Sequence, residues 1–162
     1  ARWHAVAGAI FPLDTNELRP NGWTSADAAG LPMIPGMAKY SEAAAGEIDH
    51  ALRFTAETTQ RGFIHPATHF ASNSSDPNLP PMGLRLRLKR TFDLSPYHGQ
   101  ALAILVALKK YGMFLSQNGS NFYINGTSDS HWSDTDLDQL KSVPGTAFEA
   151  VDTGPVLHVS AP

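Results

Sequence analysis

At 162 residues the chain has the length of a single domain, enough to bury a core without disulfides or metal staples. Its 12 Lys and Arg against 15 Asp and Glu give a formal net charge of −3, and only 17% of residues are charged, so no broad basic field exists to hold nucleic acid. The lack of cysteine removes thiol catalysis, thiolate metal sites and disulfides together, and no apolar run approaches the roughly 20 residues that cross a bilayer, so no membrane partner is expected.

The 12 prolines and 13 glycines are spread along the chain and cut it into short elements. Residues 3–13 are apolar enough for a first strand that stops near Pro12. Residues 14–36 carry Pro20, Gly22, Gly30, Pro32 and Pro35, which predicts a long ordered loop or a set of turns, a feature often tied to function. Residues 41–46 predict one helical turn closed by Gly46, which delivers the chain into a strand through His50 and Phe54. A second strand is predicted over 63–70. In 84–89 leucines alternate with cations, the pattern of a strand with one face in the core.

Ser95 and Pro96 then predict the start of an amphipathic helix. Ala101, Ile104, Leu105 and Leu108 recur at helical spacing, Lys109 and Lys110 meet its negative end, and Gly112 stops it. Residues 113–116 and 121–125, joined across 117–120, predict a β-hairpin. Ser133 and Asp134 start a short helix through Leu137 and Leu140, and 146–151 supplies a last strand. The expected fold is mainly β (α+β): an antiparallel sheet, or a β-sandwich of jelly-roll type, with one long amphipathic helix and one or two short ones, in one domain over 1–162.

Three of the seven histidines fall between residues 50 and 69. Imidazole transfers protons near neutral pH or binds metal through a ring nitrogen. If 63–70 is extended, His65, Ala67 and His69 share one face. His50, His65 and His69 with a carboxylate such as Asp27 or Asp49 are then candidate ligands of a divalent transition metal, zinc, copper or iron. Pro66 rules out a zinc-protease helix between the pair, and no His-x-His occurs. The plainer alternative is one hydrogen-bonded core histidine and another on the surface. Without metal, a histidine paired with Asp27, Asp49 or one of Tyr40, Tyr97, Tyr111 and Tyr123 serves as general acid or base. Glycoside hydrolysis by paired carboxylates would draw on Asp27, Glu42, Glu47 and Asp49.

Other chemistries have less support. No Gly-x-Ser-x-Gly elbow is present, Ser25 reads as a turn residue, and no Gly-rich phosphate loop occurs. Trp3, Trp23 and Trp132 lie in polar or turn-rich settings where an indole stacks on a pyranose face, so Trp23, Tyr40 and Trp132 are candidate substrate-binding residues. Three Asn-x-Ser/Thr sequons begin at Asn73, Asn118 and Asn125, with turn formation as the simpler reading of the last two.

Segments 22–32 (GWTSADAAGLP), 46–54 (GEIDHALRF), 79–89 (LPPMGLRLRLK) and 109–120 (KKYGMFLSQNGS) resemble a family of uncharacterised, largely bacterial, exported proteins. The resemblance covers most of residues 3–155 and brings no established reaction. It implies a secreted or periplasmic location, and a chain about twice this length whose preceding half carries its own Asp-Arg-His segment. That preceding polypeptide half is then an expected partner. It ranks Asp27 and His50 first among polar positions, then His69, with His65 lower.

Together these readings predict an exported carbohydrate-active protein that cleaves a polysaccharide, as hydrolase or lyase. His50 and His69 would work in proton transfer or ligation, and Asp27 would orient them. The alternative is a noncatalytic glycan-binding or structural module.

Overall fold

The computed structural model describes residues 2, 4–5 and 8–159. In chain order the elements are α1 (Tyr40–Ala45), β1 (Leu52–Ala56), β2 (Arg85–Leu88), α2 (Gly99–Lys110), β3 (Met113–Asn118), α3 (Asp134–Asp138) and β4 (Phe148–Val151), with short 3-10 turns at Ile34–Gly36, Gln139–Ser142 and Gly145–Ala147. The four strands form one sheet in the order β1-β3-β2-β4. β3 runs parallel to β1 and antiparallel to β2, and β2 runs antiparallel to β4. The class is therefore α+β with a mixed sheet. A purely antiparallel sheet is corrected by the β1–β3 pair, whose long connection through β2 and α2 supplies the crossover that parallel strands require. No second sheet of named strands faces this one among the described residues.

The expected hairpin does not close. After β3 the chain passes over the end of β1 and returns along β1's other edge, where Phe122 N–H donates to Thr55 O, Thr55 N–H to Tyr123 O, and Asn125 N–H to Arg53 O at 3.0, 3.0 and 3.3 Å. Ile124 bridges Phe54 in antiparallel fashion. β1 is buried along its whole length, so its backbone groups need partners on both edges. A turn signal read from neighbours in sequence carries no information about a third strand inserted between them.

The second histidine strand is also absent. Phe63 makes single bridges to Met82 and Leu157, and the chain then turns at His65 and Pro66, closed by Ala67 N–H on Ile64 O at 3.0 Å. Thr68 and His69 N–H both donate to Ala29 O, at 2.9 and 3.2 Å. These amides tie the segment to the 14–36 loop instead of to a strand. That loop is as expected, and residues 8–13 form no strand, while Trp3, Val6 and Ala7 of the predicted first strand lie outside the described residues.

Helix α2 is buried at Ala101, Ala103, Ile104, Leu105, Ala107 and Leu108. Its exposed stripe carries Val106 and the half-buried Leu102, so an amphipathic helix is corrected to an apolar one with little polar face. The start also moves. Ser95 folds back on Asp93, with N–H and Oγ at 2.9 and 2.8 Å from the carboxylate, and His98 takes the cap position. The first free N–H groups are instead satisfied from α3 and the turn after it: Asp136 accepts from Gln100 N–H at 3.0 Å, and Gln139 accepts from His98 N–H at 3.1 Å. Of the other local readings, α1 is closed by a left-handed Gly46 but starts at Tyr40 with no side-chain cap, α3 is capped by Ser133, and the last strand is shortened to Phe148–Val151 behind a 3-10 turn.

Gly112 joins α2 to β3 at φ +78°, where a Cβ would lie 2.4 Å from Leu86 O. Gly112→Ala is expected to lower stability by at least about 1–3 kcal/mol, the cost of a strained backbone alone. A urea midpoint shifted down at unchanged slope would show it; an unchanged midpoint would rule it out.

Candidate functional site

The structure separates the histidines. His50 sits in the bend before β1, with Nδ1 2.9 Å from Ala51 O and Nε2 3.0 Å from Glu42 Oε2 on α1. Both ring nitrogens thus face oxygen atoms. Lys39 pairs with the other Glu42 oxygen. Burial raises the Glu42 pKa, but hydrogen bonds from Lys39 and His50 outweigh it and hold the carboxyl below its ordinary value. The stability this group contributes is present above its unfolded pKa and is lost as pH falls through the folded one.

His65 Nε2 lies 2.8 Å from Asn21 Oδ1. His69 Nδ1 lies 2.9 Å from Ala28 O, and its ring stacks on Phe70. Each of the three has its own partners, and no group of three or more His, Asp or Glu side chains gathers to hold a metal among the described residues. His50, His65 and His69, expected together as a metal set, are thus not brought together among the described residues: Pro66 turns the chain where a strand would have aligned two of them. Elemental analysis of the purified protein is expected to find no stoichiometric transition metal; one zinc, copper or iron per chain would overturn this.

Asp27 meets none of the histidines. It is 1% exposed, and its Oδ2 lies 2.6 Å from Arg53 Nη2 on β1. Oδ1 accepts Ala29 N–H at 2.7 Å, and Ser25 Oγ accepts Asp27 N–H at 3.0 Å. Arg53 Nε donates to Asn125 Oδ1 at 3.1 Å, so one guanidinium joins the 14–36 loop, β1 and the return segment. The 2.6 Å approach is a charge contact without hydrogen-bond angles, so Asp27 Oδ2 has no hydrogen-bond partner, and Arg53 Nη1, on the other arm of the guanidinium, has none either among the described residues. Burial pushes the Asp27 pKa up to about 6 against the pull of Arg53 and the Ala29 N–H. Asp27 is therefore an ion-pair partner of Arg53, and the expected orienting role toward His50 has no contact behind it.

Of the aromatic candidates, Tyr40 and Trp132 come together. Their rings meet edge-on at 5.8 Å, Tyr40 stacks on His131 at 5.2 Å, and Trp132 Nε1 donates to Thr127 O at 2.9 Å. Trp23 is 57% exposed, and the Arg19 guanidinium lies 5.5 Å from its ring. Trp3 lies outside the described residues.

Trp132 is also one wall of a groove of about 800 Å³. Ile104, Leu105 and Leu108 of α2 line it with Leu137, Leu140, Val143, Met113 and Phe148, and the return segment adds Phe122, Tyr123 and Ile124. Asn121, Asp134, Asp138 and Lys141 contribute the polar groups. Phe122 is 46% exposed and Tyr123 65%. Phe122 holds a left-handed φ of 61°, which costs roughly 1–3 kcal/mol, and its ring packs between Phe54 and Phe148 at 5.5 Å from each. Sequence reasoning missed this groove because its walls come from separate segments, from Ala38 through α2 to Phe148.

Two of the sequons have their amides engaged. Asn118 Nδ2 donates to Thr59 Oγ1 at 3.1 Å, and Asn125 Oδ1 holds Arg53, while Asn73 is exposed.

No family model, curated protein or solved structure matches this chain. Its class is thus given by its own geometry: a small α+β domain with a mixed four-stranded sheet, a buried arginine–aspartate pair and an open apolar groove.

Proposed function

We propose that this chain is a noncatalytic glycan-binding module whose ligand occupies the groove. The observation that carries the reading is the placement of exposed Tyr123 and Phe122 beside Trp132, with Asn121, Asp134, Asp138 and Lys141 among the lining groups. Sugar rings lay their C–H faces on aromatic rings and give their hydroxyls to amides and carboxylates. The volume lies within the roughly 300–1,000 Å³ usual for ligand sites. Export to the periplasm or the medium, and attachment to a preceding polypeptide half, belong to the same proposal and rest on the family resemblance.

Titration with a panel of soluble oligosaccharides, followed by tryptophan fluorescence, tests it. Saturable quenching by at least one member is expected, because Trp132 lines the groove. If no saccharide binds, and an apolar dye binds and is displaced by a fatty acid, the ligand is a lipid-like molecule and the glycan reading fails.

The competing reading is polysaccharide cleavage, and the Glu42–His50 pair is the feature that favours it, since a carboxylate on an imidazole is a general acid–base arrangement. Reducing-end or unsaturated-sugar release, lost in His50→Ala with the fold retained, would establish it. We expect no release from the parent chain, because both His50 nitrogens are already engaged.

A further inference from the structure

We propose that a second cleft, built around Arg61, binds a tetrahedral oxyanion, the phosphate or sulfate group. This cleft of about 400 Å³ is lined by Gln60, Arg61, Ser74, Ser75, Pro77 and His158 among others, and shares no lining residue with the groove. Its parts are fixed to one another. Arg61 N–H donates to Ser74 O at 2.7 Å, and His158 Nδ1 lies 2.7 Å from Arg61 O. Because a carbonyl only accepts, Nδ1 is the donor there, and Nε2 has no hydrogen-bond partner among the described residues. Gly62 permits the approach of the chain end: a Cβ on it would lie 2.7 Å from Val156 Cγ1 and 3.1 Å from the His158 ring.

The donors are the right kind. The Arg61 guanidinium lies 5.7 Å from the Phe70 ring centroid and, among the described residues, has no carboxylate within ion-pair distance. An arginine fork matches two oxygens of a phosphate or sulfate, and stacking on an aromatic ring orients it beforehand. Ser74 Oγ accepts Asp76 N–H at 3.3 Å, so its own hydrogen is available to donate. Asp76, the acid next to Ser75 in sequence, accepts two bonds of 2.9 Å from Asn78 on its Oδ1. The volume exceeds that of a bare ion, leaving room for the group that carries it.

NMR titration of the chain with inorganic phosphate, and separately with sulfate, is the test. Saturable shifts are expected at the Arg61 side-chain N–H, the Ser74 and Ser75 amides and the His158 ring. Arg61→Gln should weaken binding by about tenfold or more, the effect of losing a charge-assisted hydrogen bond, and Arg61→Lys should fall between, keeping charge without the fork. Preserved amide dispersion in both variants shows that the fold is intact. Shifts that grow linearly without saturation, or equal affinity in Arg61→Gln, would overturn the proposal. A sulfated saccharide compared with its desulfated form and with inorganic sulfate separates the sources. Tighter binding of the ester identifies a substituted glycan, and equal binding a free ion. Because these shifts are read at Arg61 and His158, failure here is distinguishable from failure of the groove.

Discussion

Arg53→Met is expected to cost about 3–5 kcal/mol of unfolding free energy above neutral pH, the usual penalty for leaving one member of a buried ion pair alone, and much less near pH ~4. Asp27 is essentially shielded from water, and its pKa of about 6 in the fold lies above the ordinary 3.8. The native state therefore holds this proton more tightly than the unfolded chain does. The stabilisation from this group is fully present below 3.8 and is lost as pH rises through about 6, a swing of roughly 3 kcal/mol. Arg53 limits that loss by drawing the carboxylate toward ionisation. Without it the Asp27 pKa moves higher still, and the fall in stability with rising pH becomes deeper and extends further.

At low pH the carboxyl is neutral in both chains, so only packing and the bond to Asn125 are missing from the variant. Asp27→Asn combined with Arg53→Met should recover most of the loss at high pH, since no buried charge is then left unpaired. Urea unfolding of the variants across a pH series measures all of this. A penalty for Arg53→Met that stays constant with pH would mean that Arg53 acts through packing alone.

The second large effect concerns ligand affinity. Tyr123→Ala is expected to weaken saccharide binding by about tenfold, which corresponds to roughly 1.4 kcal/mol and is of the size that aromatic stacking contributes. At 65% exposure, Tyr123 should leave the unfolding midpoint nearly unchanged when truncated. Trp23→Ala serves as the contrasting variant. Its ring is also exposed but is absent from the groove lining, so affinity should not move. Loss of binding in Trp23→Ala with none in Tyr123→Ala would transfer the contact surface to the 14–36 loop.

What the sequence disclosed follows the range of its signals. Gly46 after α1, Ser133 before α3 and the alternation in 84–89 are local, and each sits in the element it announces. The failures arise where distant chain competes. Residues 121–125 carry strand chemistry but pair with β1, 65 or more residues upstream. Ser95 and Pro96 are a sound helix start, yet Asp93 captures Ser95, and Asp136 and Gln139 supply acceptors a few residues later.

The candidate site divides in the same way. Residue type and the family resemblance point to Asp27 and His50, but nothing local in the sequence assigns them their partners, Arg53 and Glu42. Arg53 lies between Leu52 and Phe54 in a strand buried on every residue. An arginine in that setting is itself a sign of a buried counter-charge. The groove had no comparable signal, since apolar residues on α2 and around 137–143 look like any core.

The insertion of β1 between β3 and the return segment also bears on how the chain reaches its fold. Residues 113–125 hold a hairpin-competent sequence that can close on itself within microseconds, whereas the native pairing must wait for a strand separated by nearly sixty residues. Synthesised from the N-terminus, β1 is already present when these residues emerge. Refolding from denaturant offers both pairings at once, and the faster local one must reopen. Strand insertion is then the step with which the local pairing competes, and weakening the 117–120 turn is expected to speed refolding.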